Sequence, residues 1–378
     1  MESINTGDDN KAEPVNADDY LTWFEKGNEL YRLGQFEQAI ESYDKALQIK
    51  PDDHKAWYNR GNALDDLGRH EQAIESYDKA LQIKPDYHKA WYNRGSALDD
   101  LGRHEEAIES YDKALQIKPD DHKAWYNRGN ALDDLGRHEQ AIESFDKALQ
   151  IKPDYHKAWY IRGFALGNLG RHEQAIESFD KALQIKPDDH EAWYNCGVAL
   201  SKLGRHEQAI ENYDKALQIK PDKYKAWCNR GNALADLGHH GQAIESYDEA
   251  LQIKPNIHEA WNNRGVTLNN LGRHEQAIES YDKALQIKPD YHKAWYNRGS
   301  ALDDLGRHEE AIESYDKALQ IKPDYHKAWY NRGCALDNLG NYKEAIENYD
   351  KALQIKPDDE LARNNRKLTL KKLGNNPN

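Results

Sequence analysis

The stretch His54–Tyr87, HKAWYNRGNALDDLGRHEQAIESYDKALQIKPDY, decides how this chain folds. Ala56, Trp57, Leu64 and Leu67, with small Gly61 and Ala63, recur at the spacing of one helix face, about 3.6 residues per turn. Gly68 breaks that pattern where a helix C-cap belongs. A second apolar face follows in Ala73, Ile74, Tyr77, Ala80 and Leu81. It must stop before Pro85, which cannot continue a helix and biases Lys84 away from it. Asp86 is expected to cap the next helix. The stretch therefore predicts helix–turn–helix, and no run shows the alternation of a strand.

Moving outward, the same stretch recurs every 34 residues. All ten tryptophans keep that beat: Trp23, Trp57, Trp91, Trp125, Trp159, Trp193, Trp227, Trp261, Trp295 and Trp329. A proline follows each one 28 residues later, from Pro51 to Pro357. A period of this size means stacked units that each contact only their neighbours. Such an array offers an extended surface and no ready-made catalytic pocket, so binding is the expected class of function. The 38% hydrophobic and 31% charged composition suits a thin array. A net charge of −14 argues against nucleic acid and anionic membrane surfaces. Cys196, Cys228 and Cys334 are aperiodic and form no C-x-x-C pair, so free thiols in a reducing, cytoplasmic setting are expected. Residues 1–19 carry six acids against one lysine and predict a disordered acidic tail. No run of apolar residues approaches a membrane span.

Trp57, Gly61, Leu64, Ala73, Tyr77, Ala80 and Pro85 together resemble the tetratricopeptide repeat pattern. The resemblance covers ten units, residues 20–359, with 360–378 expected as a closing helix and short tail. It implies an all-α fold: a right-handed α-solenoid superhelix of ten helix–turn–helix repeats with a C-terminal capping helix. The tryptophans are then expected as core. The resemblance further implies that the face of each first helix bearing Lys55, Tyr58, Asn59, Asn62, Asp65 and Asp66 lines a concave groove. The monotony of the repeats suggests a bacterial source.

Asparagine stands two residues after Trp in eight units: Asn59, Asn93, Asn127, Asn195, Asn229, Asn263, Asn297 and Asn331. An amide both donates and accepts, so such a row suits an extended peptide backbone whatever its side chains. The row resembles the asparagine ladder in the repeat domain of O-linked N-acetylglucosamine transferases. Bonding between neighbouring helices is the other reading. Lys55 and its equivalents, and the Asp65/Asp66 pairs, oppose the helix dipole, which hints at use. Pairing of Asp65 with Arg69 is the plainer account. A carboxylate clamp is only partly matched, since Tyr58 stands where a clamp has lysine. Arg60 lies on the core side and needs a carboxylate, Asp78 or Asp44.

Where the copies differ, the differences concentrate mid-chain. Ile161 replaces the ladder asparagine, Phe164 and Val198 replace polar residues five after Trp, and Gly167 and Asn168 replace two aspartates. Tyr160, Ile161, Phe164 and Val198 are thus expected as an apolar anchor patch. The periodic histidines, such as His54 and His70, are expected at turns and not as metal ligands. There is no phosphate loop, nucleophile elbow or isolated acid pair. The expectation is a non-enzymatic scaffold or adaptor, without cofactor, for a protein or peptide partner. The alternatives are end-to-end self-assembly through Leu21, Phe24 and Phe36, or a targeting subunit for an enzyme such as a glycosyltransferase.

Overall fold

The computed structural model describes residues 17–375, which form 21 helices and no strand. They belong to two compact units, residues 1–187 and 188–378. The first holds α1 (Ala17–Arg32), α2 (Phe36–Ile49), α3 (His54–Asp66), α4 (His70–Ile83), α5 (His88–Asp100), α6 (His104–Ile117), α7 (His122–Asp134), α8 (His138–Ile151), α9 (His156–Asn168) and α10 (His172–Ile185). The second holds α11 (His190–Lys202), α12 (His206–Ile219), α13 (Tyr224–Asp236), α14 (His240–Ile253), α15 (His258–Asn270), α16 (His274–Ile287), α17 (His292–Asp304), α18 (His308–Ile321), α19 (His326–Asn338), α20 (Tyr342–Ile355) and α21 (Glu360–Asn375). Within each, a first helix packs on its own second helix, which packs on the next first helix. Each is an α-solenoid of helix pairs. Residues 17–19, expected in the acidic tail, are helical, and residues 1–16 of that expectation lie outside the described residues. The closing helix is α21.

The turn chemistry is as the sequence dictates at Gly68, where φ is +72°. Only glycine takes that conformation without strain. Its N–H donates to the Asp65 carbonyl at 2.8 Å and the Arg69 N–H reaches the Leu64 carbonyl at 2.9 Å, which satisfies the end of α3. The other boundary departs from expectation. Asp86 does not cap α5; the cap position is one residue later, at Tyr87, which offers no side-chain bond. Asp86 instead pairs with Lys84 at 3.2 Å. Where the later position is itself aspartate, as at Asp53, the carboxylate accepts from the N–H groups of Lys55 and Ala56.

Leu64, Ala73, Tyr77 and Ala80 are fully buried. Gly61 is there because a Cβ would lie 2.5 Å from the Tyr77 ring, so α3 and α4 meet at a distance that only glycine allows. The tryptophans are not core in the same sense. Trp57 and Trp91 are half-buried against Ala80, Leu81 and Ala90. The Trp57 indole N–H donates to the Pro51 carbonyl at 2.9 Å, and the Arg60 guanidinium lies 5.7 Å from the ring centroid. Trp is an edge brace tying a first helix to the preceding turn, because the indole N–H needs a partner that the apolar centre does not hold.

Of the two carboxylates expected for Arg60, the structure selects Asp44. Arg60 Nε donates to Asp44 at 2.6 Å and Nη1 to Ser76 at 2.7 Å. One guanidinium thus ties the previous second helix, α2, to its own second helix, α4.

Candidate functional site

The first helices carry the candidate surface. Their polar face is a hydrogen-bonded lattice and not a bare row of amides. Asn93 donates to the Asn62 side-chain oxygen at 2.8 Å and to the Tyr58 hydroxyl at 3.1 Å. Asn62 also accepts from the buried Tyr77 hydroxyl at 3.0 Å. Asn59 reaches Asn28, Asn127 reaches Tyr92, Asn229 reaches Tyr194, Asn263 reaches Asn232, Asn297 reaches Asn262 and Asn331 reaches Tyr296. Each such bond joins consecutive first helices. Asn195 also has a partner. The ladder amides are half-buried, and their N–H groups are engaged within the fold. Burial holds Tyr92 and Tyr194 above the ordinary tyrosine pKa, so both stay neutral acceptors for the amides.

The position five after Trp is the lattice's pivot, and sequence reading missed that role. Asparagine there fits a tyrosine 15 residues on. Serine does not reach: the buried hydroxyls of Tyr111 and Tyr315 have no hydrogen-bond partner, and Ser96 and Ser300 stand at the pivot in their units. At Cys334 the thiol accepts from Tyr349 at 3.6 Å. The signal was present, because Phe164 coincides with Phe179, which has no hydroxyl to satisfy.

Shallow cavities recur in this register. In the first compact unit, Asn28, Tyr31, Tyr43, Asn59 and Asn62 line about 210 Å³. In the second, Val198, Ser201, Tyr213, Asn229 and Asn232 line about 200 Å³. Near the C-terminus Cys334, Asp337, Tyr349, Asn365 and Thr369 line a larger one of about 510 Å³.

Of the expected apolar patch, α9 carries three members. Phe164 is 43% exposed, Ile161 and Tyr160 are half-buried, and Tyr160 stacks at a tilt on Phe179, 6.0 Å between centroids. Val198 lies on α11, in the second compact unit, half-buried.

At the far end of α3, α5, α7 and α17 the aspartate eight after Trp meets a histidine across the turn, not the expected arginine. Asp65 lies 2.8 Å from His70 Nδ1, Asp99 2.8 Å from His104 and Asp133 2.6 Å from His138. Burial raises Asp65 and Asp99 above the ordinary carboxylate value; the histidines oppose that, and the neighbouring carboxylates Asp100 and Asp134 add to it. In the middle of the sequence this aspartate becomes Gly167, Ser201 and Ala235, and the Nδ1 atoms of His172, His206 and His240 are buried without a hydrogen bond. No disulfide joins Cys196, Cys228 and Cys334. Burial, with Glu259 adding, pushes Cys228 up to about 11, so its reactive thiolate is scarce.

The tetratricopeptide repeat family matches residues 24–156 in three overlapping segments, 168–204, and 190–359 as five consecutive repeats. The chain belongs to that family. It is a scaffold of the protein–protein interaction type, on a fold that is typically non-catalytic. No curated protein matches the sequence. Among solved structures it is similar to YrrB, described as a tetratricopeptide protein with an unusual peptide-binding site, at 26% identity over 51% of this chain and 99% of YrrB, with a TM-score of 0.45. It is also similar to MamA, at 27% identity over 46% of this chain and 94% of that one, TM-score 0.43. A tetratricopeptide repeat protein from Parabacteroides merdae is 20% identical over 67% and 100%, TM-score 0.48. No helix among the described residues is long and apolar enough to cross a membrane.

Proposed function

We propose that this chain is a non-catalytic adaptor that holds an extended peptide or protein segment against the polar face of its first helices. The observation that carries the reading is Phe164. A large apolar side chain is 43% exposed at a position where Asn28, Asn62 and Asn232 sit inside a hydrogen-bonded lattice. Ile161 beside it removes a ladder amide, and Gly167 and Asn168 remove two acids from the same helix. An exposed aromatic in a polar surround supplies anchor energy of the kind that hot spots carry. The ladder asparagines of the same compact unit, Asn59, Asn93 and Asn127, with Tyr160, would flank it. Their N–H groups already serve the fold, so their contribution to a ligand would come from the carboxamide oxygens.

The test uses the full chain. Peptides selected from a displayed random library against the wild type are measured by calorimetry against Ile161→Asn/Phe164→Asn. Glu75→Ala, on the exposed side of α4, is the control. At least a tenfold loss in the double variant, with the control unchanged, is expected. Affinity within twofold of wild type would remove the reading.

End-to-end self-association is the second reading, favoured by exposed Leu21 and Leu33 at one end and Leu361 and Leu368 at the other. Against it, α21 carries Lys367 at the register where Gly333 and Gly61 admit a second helix. A concentration-dependent mass in sedimentation equilibrium would support association, and a constant monomer mass would end it.

A further inference from the structure

Where consecutive units meet, three side chains form a node: the residue eight after one Trp, the histidine across its turn, and the residue nine after the next Trp. Two nodes are Asp–His–Asp: Asp65, His70 and Asp100, then Asp99, His104 and Asp134. In each, one ligand atom per residue lies within 4.8 Å of the others. We propose that these two nodes are divalent-cation sites of the mixed imidazole–carboxylate type, which suits Zn²⁺.

Three observations carry this. First, the geometry is close to shared coordination. Two donors on one zinc ion, each at about 2.0–2.2 Å, stand roughly 3–4 Å apart, and Asp65 Oδ1 and His70 Nδ1 are already 2.8 Å apart. Moving the ring proton from Nδ1 to Nε2 is a tautomer change that frees the Nδ1 lone pair for the metal and releases nothing.

Second, the charge is unbalanced. Asp65 sits in the last turn of α3 and Asp100 ends α5, so both carboxylates lie at negative helix ends, where a cation is favoured. Two carboxylates and one neutral imidazole match a dication.

Third, the equivalent nodes hold at most one aspartate at these two positions. The Tyr31 hydroxyl donates to Asp66. Asn269 donates to Asp304 at 3.3 Å. Asn168 and Asn338 stand in place of the second aspartate beside Asp133/His138 and Asp303/His308. At the last node the Lys372 ammonium occupies the second-aspartate register and contacts Asp337. A cation therefore fits this place in the fold, and at the two Asp–His–Asp nodes the chain supplies none of its own at that register.

The test is calorimetric titration of the full chain with ZnCl₂. Two sites are expected in the wild type. Asp100→Asn and Asp134→Asn should each remove one, by weakening it at least about tenfold, and the pair should remove both. These substitutions copy the chain's own Asn168 and Asn338, so circular dichroism should be unchanged. Asn168→Asp should add a third site with Asp133 and His138. Binding by the remaining histidines would persist in the double variant and is subtracted with it. No saturable binding by the wild type, equal stoichiometry in the double variant, or no gain in Asn168→Asp would each overturn the proposal.

Discussion

Substituting Gly61 by alanine sets two effects of known sign against each other. Alanine is about 1 kcal/mol better than glycine in a helix interior, so the change stabilises an open site. At Gly61 the added Cβ would lie 2.5 Å from Cε1 and 2.8 Å from Cδ1 of Tyr77. Carbon atoms rest at about 3.5–4.0 Å, so the ring would have to retreat by about 1 Å. It has nowhere to go: Tyr77 is 0% exposed and its hydroxyl is tied to Asn62 at 3.0 Å. Overpacking of this kind costs about 1–3 kcal/mol, and the lack of slack places this site toward the upper end. The expected net loss is about 1–2 kcal/mol. Gly167 is the control, with nothing within 4 Å of its added Cβ, and Gly167→Ala should gain about 0.5–1 kcal/mol. A repeat array need not unfold in one step. The assay is therefore hydrogen exchange of α3 and α4 against α9, with the thermal midpoint alongside. Faster exchange in α3/α4 for Gly61→Ala and slower exchange in α9 for Gly167→Ala are expected. The same sign for both variants would refute the packing argument.

Ser96→Asn and Ser300→Asn should each stabilise by about 1 kcal/mol, because each gives a buried tyrosine hydroxyl its missing acceptor; unchanged chemical denaturation midpoints would contradict this. Phe179→Tyr alone should destabilise by about 1–3 kcal/mol through an unsatisfied buried hydroxyl, and Phe164→Asn should recover about 1 kcal/mol of that in the double variant. An additive cycle in denaturation would exclude the coupling. Asp65→Asn should stabilise at neutral pH in chelating buffer. Because the folded form holds Asp65 above its ordinary value of 3.8, its share of stability is full below that value and lost as pH rises through the folded one. Asparagine removes that penalty and keeps the histidine bond, as Asn269 does with His274 at 2.8 Å. Asp53 runs the other way. Burial would raise it, but hydrogen bonds from Tyr20, Ala56, Lys55 and Lys50 outweigh burial and lower it. Its stability is present above the ordinary value and lost as pH falls through the folded one, so Asp53→Asn should cost stability at neutral pH and little in acid. Thermal midpoints across pH 3–7 would check both, and parallel curves for the two variants would refute the assignment.

Local chemistry was legible in the sequence and cross-unit geometry was not. Gly68 as a cap, Gly61 as a close approach and the helix limits at Pro85 all follow from contacts within one unit, whose spacing the chain fixes. The partner of Arg60 was legible only as a pair of candidates, because Asp44 and Asp78 are equivalent in the period. Choosing between them requires the rotation from one helix pair to the next. Trp57 was misjudged for a related reason: its size and spacing resemble core, but its N–H must find an acceptor, and the nearest is the Pro51 carbonyl at the rim. The Asp65–His70 link lay within reach, since five residues across a glycine turn is short, yet the i,i+4 rule pointed to Arg69 instead.

The candidate site shows why a repeat has to be read in columns and not residue by residue. Taken alone, Phe164 is one asparagine lost to drift. Its column is a hydrogen-bonding pivot, however: beside serine the buried hydroxyls of Tyr111 and Tyr315 are stranded, and beside Val198 the Tyr213 hydroxyl turns to Ser201 instead. In the fifth repeat the hydroxyl is gone as well, since Phe179 stands in the tyrosine column and is only 3% exposed. The two changes together delete a polar node without leaving an unmet bond, which frees position 164 to carry an aromatic ring outward. Phe145 beside Asn130 shows that the phenylalanine alone is tolerated, so the order of events is permissive: the core can lose its hydroxyl first, and the surface position is then released from structural duty. Ile161 is released in the same way from the amide lattice that ties its counterparts together. A surface position with no remaining obligation to the fold is where a scaffold of near-identical repeats can acquire a specificity of its own.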